Sequence, residues 1–227
     1  MQPLPPQLSD AQLQLRQSLP LKPAPAQLAG RFVHMEPFVM ERDAATLFAI
    51  SNGQPVTIGS HSVGQYDAEE LIWRYLLLGP FANLTEFQSY MQRQLDAANG
   101  LPFTVFETTT NHPVGVLNLM SNAPGDLKIE LGSIWYTPAV QRTPSNTEAT
   151  YLALSHCFAL GYRRLEWKCN SLNERSRRAA LRMGFQFEGI QEQHMIIKNR
   201  SRDTAWFRIL DHEWPQVKER LEKMLYP

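Results

Sequence analysis

Asn173 and Ser176 stand three residues apart at the start of a stretch, Asn173 to Gly189, that reads as a short helix, a glycine stop at Gly184 and an apolar strand. Residues at that spacing are neighbours on a helix surface, so an amide and a hydroxyl can face one ligand. Glu130 is a carboxylate within a predicted strand, Leu127 to Tyr136. Strand alternation puts it on one face with Gly132, Ile134 and Tyr136, and Ile129, Leu131 and Trp135 on the other. Partly apolar surroundings raise a carboxyl pKa and suit it to act as a base. The run Gln141-Arg142-Thr143-Pro144-Ser145-Asn146-Thr147 precedes a helix. Helix starts favour anions through free N–H groups, here those of Ser145, Asn146 and Thr147, with Arg142 adding charge. Pro144 brings no N–H but suits the first helical position behind a Thr143 cap. Each feature also has a plain structural account: a Ser171-x-x-Glu174 capping box, a solvated strand glutamate, an ordinary Thr-Pro helix start.

Positioning these groups takes an α+β chain. Residues 1–27 form a Pro-rich arm, with a short helix over Ser9 to Gln17 behind a Ser9 cap, and residues 28–227 form one globular domain. Arg31 to Val39 reads as a strand, Glu41 to Ile50 as a helix and Ser51 to Gln65 as a loop. Ala68 to Leu78 and Glu86 to Ala98 have helical spacing, the second closed by Asn99-Gly100 as a left-handed cap. Pro102 to Thr108 and Val114 to Met120 form a hairpin, and Leu127 to Tyr136 the next strand. A helix from about Pro144 to Leu160, a strand through Leu165, Trp167 and Cys169, the Asn173 helix, a hairpin of Met195 to Lys198 with Ala205 to Leu210, and a helix over Glu213 to Leu225 complete the chain.

Bulk composition narrows the partners. The 22 basic residues balance 22 acidic ones, so no global field draws in nucleic acid or anionic membrane. Cys157 and Cys169 sit in apolar patterns and read as buried thiols of a reducing compartment. No apolar run is long enough to span a bilayer, and the N-terminus lacks a secretory signal pattern, so a cytoplasmic protein is expected. There is no Gly-x-Ser-x-Gly elbow, no His-Glu-x-x-His helix and no zinc-like cysteine spacing, and no metal is expected.

The Asn173–Gly189 stretch, the Gln141–Ala149 segment and the element order from about 28 to 210 resemble the GNAT superfamily of acetyl-CoA-dependent N-acetyltransferases, and its Rim-type branch in particular. The resemblance implies a twisted mixed sheet flanked by helices, with acetyl-CoA between two splayed strands and its pyrophosphate on the helix near Pro144. In the family's usual Gln/Arg-x-x-Gly-x-Gly/Ala loop, Gln141 matches, while Pro144 and Asn146 replace the two small positions. By the same resemblance, backbone groups of Ile134, Trp135 and Tyr136 meet the pantetheine amides and Asn173 bonds the pantetheine arm. Ser176 donates to the departing thiolate, Arg178 is a phosphate ligand within the cluster Arg175, Arg177, Arg178 and Arg182, and Glu130 is the base. Trp73, Tyr75 and Phe81 resemble a Trp-x-Tyr…Gly-Pro-Phe segment that would wall the acceptor pocket, although aromatics at helical spacing also pack cores.

The expected activity is direct transfer of an acetyl group to a primary amine, of a small molecule or of a protein N-terminus. The altered loop also fits a catalytically silent acyl-CoA-binding or sensing module, and the Arg-rich turn a nucleic-acid-binding helix, against which the balanced charge argues. A homodimer is compatible with these readings.

Overall fold

The computed structural model describes residues 3–227. Apolar, β-branched and aromatic runs form the central sheet. Its first strands are β1 (Leu28–Ala29), β2 (Val33–Pro37), β5 (Leu101–Glu107) and β6 (His112–Ala123). They are followed by β7 (Lys128–Tyr136), β8 (Arg164–Asn170), β9 (Gln186–Ile197) and β10 (Arg200–Leu210). The eight lie in the order β1-β2-β5-β6-β7-β8-β10-β9. Neighbours are antiparallel except β7 and β8, which run parallel. A parallel pair needs a crossover, and α4 (Ser145–Ala159) supplies it.

Helices cover both faces. On one side lie α2 (Met40–Ala49) and α3 (Leu84–Asp96). Thr104 of β5 donates to the buried Asp43 of α2 at 2.7 Å, and Asn118 of β6 donates to Gln94 of α3 at 2.5 Å. On the other lie α4, α5 (Glu174–Arg182) and α6 (Trp214–Leu225). Phe158 stacks on Trp214 there at 5.0 Å. The α4 start is tied to β2 through Glu148, which accepts from the N–H groups of Arg31, Phe32 and Val33 at 2.9, 2.6 and 2.7 Å.

The N-terminal arm follows the expected pattern. Ser9 and Gln12 form a capping box at the start of α1 (Asp10–Ser18). Asn122 holds the arm by donating to the carbonyls of Pro20 and Leu21 at 3.0 and 2.9 Å.

Four local expectations change. The 51–65 loop contains a small hairpin, β3 (Val56–Ile58) with β4 (His61–Val63). The 68–78 segment makes only a single π-type turn, Glu69–Trp73. The Trp73 indole is buried and donates to the Ser51 carbonyl at 2.8 Å, so packing rather than helical propensity sets its path. Helix α3 ends in Ala97 at φ −59°, ψ 119°, and neither Asn99 nor Gly100 is left-handed. The fourth change is a β-bulge. Gly132 pairs with Asn118 and Trp135 with Val116, so Ser133 and Ile134 oppose Leu117 alone, with Ser133 at φ 49°. A bulge shifts the alternation by one residue. Trp135 therefore shares a face with Glu130, and Tyr136 with Ile129 and Leu131, the reverse of strict alternation.

Candidate active site

The parallel pairing of β7 and β8 covers only Lys128–Arg164, Ile129–Leu165 and Glu130–Glu166. Beyond it the strands part, and the bulge at Ser133–Ile134 turns β7 away. A cleft of about 140 Å³ opens there, lined by Glu130, Gly132, Ser133 and Ile134 of β7 and by Trp167, Lys168 and Cys169 of β8. A larger recess of about 530 Å³ adjoins it through shared Tyr75 and Arg202, between the Asp67–Tyr75 segment and the β9–β10 hairpin.

Glu130 sits at the fork. It is 1% exposed, and its Oε2 accepts from Lys168 Nζ at 2.8 Å and from Ser121 Oγ at 3.0 Å. Among the described residues Oε1 has no donor. Burial pushes its carboxyl up, against the opposing pull of Lys168 and Ser121. Gly132 keeps the approach to it open: a Cβ there would collide with Met120 Sδ and come within 3.0 Å of Glu130 Oε1.

Ser176 stands on the other side of β8. Its Oγ accepts from Trp167 Nε1 at 3.0 Å, which leaves the hydroxyl proton free to donate. Cys169 lies beside it, and burial raises the thiol while the Ser176 contact lowers it. Asn173, rather than Ser171, is the N-cap of α5, its Oδ1 accepting from Ser176 N at 3.1 Å. The cap uses only Oδ1, so its Nδ2 remains a donor. The structure thus brings the Asn173 amide and the Ser176 hydroxyl together, beside the splayed strands.

The 141–147 loop leads into α4. Gln141 turns inward and donates to the carbonyls of Tyr136 and Leu71 at 3.1 and 3.2 Å, bracing the loop. Arg142 is exposed at φ 66°. Pro144 is the N-cap of α4, one position earlier in the helix numbering than expected. Thr143 Oγ1 accepts from Ser145 N at 3.3 Å. Among the described residues the N–H groups of Asn146 and Thr147 find no acceptor, and Asn146 Oδ1 is buried without a partner. Two adjacent free N–H groups at the start of a 15-residue helix suit a phosphate oxygen. Of the three donors expected from the loop, those of Asn146 and Thr147 are free, while that of Ser145 is engaged by Thr143. Arg178 is exposed and paired with Glu174 at 2.7 Å, while Arg175 reaches the Glu70 carbonyl at 2.6 Å.

The three aromatic residues separate. Trp73 and Phe81 join an aromatic core, Trp73 lying 5.0 Å from Phe81 and 5.2 Å from Trp135. Tyr75 lines both cavities. The nearby acids are engaged within the protein: Glu69 pairs with Lys198 at 3.3 Å, Glu70 with Arg74 and Arg175, and Asp67 Oδ1 accepts from Glu70 N at 3.0 Å.

Trp167, Lys168 and Arg202 line the cleft, and Ser121 reaches Glu130 behind it, unannounced by any motif. Lys168 and Glu130 meet because β7 and β8 run side by side over a crossover of some thirty residues, a juxtaposition created by strand pairing. The only hint was the alternation of Leu165, Trp167 and Cys169, which leaves Lys168 on the opposite face.

Residues 33–186 match the Acetyltransferase (GNAT) domain family. A GCN5-related N-acetyltransferase from Brucella melitensis is 38% identical over 91% of this chain and 88% of its own, with a TM-score of 0.80. A probable GNAT-family acetyltransferase from Chromobacterium violaceum ATCC 12472 is 31% identical over 95% and 98%, with a TM-score of 0.79. RimJ of Mycobacterium smegmatis, in complex with CoA-disulfide, shares the fold at 21% identity over 88% and 93%, with a TM-score of 0.63. A search of curated proteins found no match. With a family match over most of its length and these relatives across nearly all of it, the chain belongs to the GNAT family of acetyltransferases.

Proposed function

We propose that the protein transfers an acetyl group from acetyl-CoA to a primary amine by direct attack, with Glu130 as general base and Ser176 as donor to the leaving thiolate. The observation that carries this reading is the cleft where β7 and β8 part, with Glu130 at its fork and Ser176 touching its lining residues Trp167 and Cys169 from the other side of β8. Acetyl-CoA supplies the thioester carbonyl. The pantetheine arm would lie along the unpaired edge of β7 at Ile134, Trp135 and Tyr136, with Asn173 Nδ2 as a further donor. The free N–H groups of Asn146 and Thr147, with Arg142, would hold the pyrophosphate. Gln141 would shape that loop, and Arg178 would meet the 3′-phosphate.

The acceptor arrives as an ammonium and must lose a proton before it attacks. Glu130 Oε1 is the open position for that proton. Burial raises the proton affinity of the carboxyl, while Lys168 and Ser121 fix its orientation. The carbon–nitrogen bond forms as the carbon–sulfur bond breaks, and the hydroxyl of Ser176 stabilises the charge that develops on sulfur. A carboxylate base on the strand beside the cleft is the Rim-type arrangement, and on that basis we place the chain near that branch. Acceptors of the class are small amines and protein N-termini. Tyr75 would border the acceptor, with Trp73 and Phe81 supporting that wall from the core.

The test is thiol release from acetyl-CoA against a panel of amines, with mass detection of the acetylated product. Turnover that falls about 10²- to 10⁴-fold in Glu130→Gln, with acetyl-CoA affinity kept, supports the reading. Tight binding of acetyl-CoA with no turnover of any amine would instead favour a sensing module.

A further inference from the structure

Arg202 lies on β10 two residues before Thr204, which pairs with Asn170 at the end of β8. It is 6% exposed, yet it lines both the small cleft and the larger recess. A guanidinium keeps its charge when buried and has five donors to satisfy. Its Nε is buried with no hydrogen-bond partner. Among the described residues no carboxylate comes within ion-pair distance of it; Glu130 acts on it only at longer range, and burial holds its pKa below the ordinary value. The other carboxylates nearby are engaged elsewhere, Glu69 by Lys198 and Glu70 by Arg74 and Arg175. Lys168 is already paired with Glu130.

A buried, unpaired guanidinium is costly unless something supplies its counter-charge. The charged side chains lining the small cleft are Glu130, Lys168 and Arg202, one negative and two positive. A bound carboxylate would neutralise that excess and accept two parallel hydrogen bonds from the fork of donors. Acetyl-CoA carries its phosphates at the far end from its thioester, so its anionic groups do not meet this need.

We propose that Arg202 is the binding residue for a carboxylate carried by the acceptor, so that the protein acetylates an amino acid or a similar amino-carboxylate. Glu130 would face the amine and Arg202 the carboxylate, orienting the molecule across the junction of the two cavities. This inference rests on the acetyl-transfer reading above but adds a substrate class to it.

The experiment compares matched acceptors, α-, β- and γ-amino acids against their carboxamides, in wild type, Arg202→Lys and Arg202→Gln. The expected wild-type preference in kcat/KM is about 10- to 100-fold for the carboxylate, the range of charge-assisted hydrogen bonds. Arg202→Gln should bring the carboxylate's kcat/KM down to that of the carboxamide, a fall larger for the acid than for the amide, and Arg202→Lys should keep part of the preference. Melting temperature and acetyl-CoA affinity verify folding, and the lysine variant serves if the glutamine variant does not fold. Calorimetry with N-acetyl-β-alanine and its amide asks the same question without turnover. A stronger signal for the acid in wild type that weakens in the variants supports the proposal, and equal signals overturn it. Equal rates for acid and amide, a preference that survives Arg202→Gln, or a loss equal for both acceptors would also overturn it. The last result would mark Arg202 as a donor to the reacting carbonyl oxygen. Failure of acetyl-CoA to bind at all sinks the acetyl-transfer reading instead, and the calorimetric comparison then still decides whether Arg202 holds a carboxylate.

Discussion

Replacing Glu148 by alanine should destabilise the protein severely, through the joint between α4 and β2. The buried carboxylate accepts three consecutive backbone N–H groups, of Arg31, Phe32 and Val33, and the Tyr226 hydroxyl at 2.6 Å. Charge-assisted hydrogen bonds contribute about 1.5–3 kcal/mol each. Val33 is fully buried, so its N–H would bear a desolvation penalty of about 1–3 kcal/mol. Arg31 and Phe32 lie nearer solvent and would regain water in part. The net loss expected is about 3–5 kcal/mol, comparable to removing one partner from a buried ionic cluster. With a urea slope of about 3 kcal/mol/M, the unfolding midpoint should fall by about 1–1.7 M at constant slope. Gly30→Ala attacks the same joint from the other side, because a Cβ at residue 30 would lie 2.5 Å from Glu148 Oε2. Overpacking of this kind costs about 1–3 kcal/mol. In the Glu148→Ala background the obstacle is gone, so the two changes should couple by at least about 1 kcal/mol in a double-mutant cycle. A midpoint shift below about 0.3 M for Glu148→Ala, or simple additivity in the cycle, would refute the reasoning.

Activity should rise with pH through a Glu130 value displaced above the usual carboxylate range, because burial raises the proton affinity and only the ionised form takes the amine's proton. The acidic limb of the kcat profile should vanish in Glu130→Gln, and an unchanged limb would exclude Glu130 as its source. Gly132→Ala should cut turnover at least about tenfold, since the added Cβ meets Met120 and the open oxygen of Glu130; a steady-state assay showing full activity would count against that oxygen as the proton's position. Neither cysteine should react with a thiol-specific disulfide reagent at pH 7.5 in the native protein, and both should react in denaturant. Burial raises both thiols, Cys157 to about 12. Rapid native labelling would contradict their burial.

The sequence alone identified the α+β order, the capped α1 and α5 helices, and the Asn173–Ser176 pair. Those features depend on periodicity, caps and glycine stops, which are local and leave their mark within a few residues. It also marked Glu130, although the face it assigned to Trp135 and Tyr136 was reversed. A single bulge does that, and nothing in the residues Gly132-Ser133-Ile134 requires one without the pairing to β6. The 68–78 segment lost its expected helix because Trp73 is drawn into an aromatic core assembled from Phe81, Phe87 and Tyr90 of the following segments and Trp135 of a strand far along the chain. Tertiary structure alone decided where β7 and β8 part, that Lys168 and Ser121 grip Glu130, and that Arg202 is buried without a carboxylate. Strand register and burial arise from contacts across the whole chain, and an isolated sequence window carries no record of them.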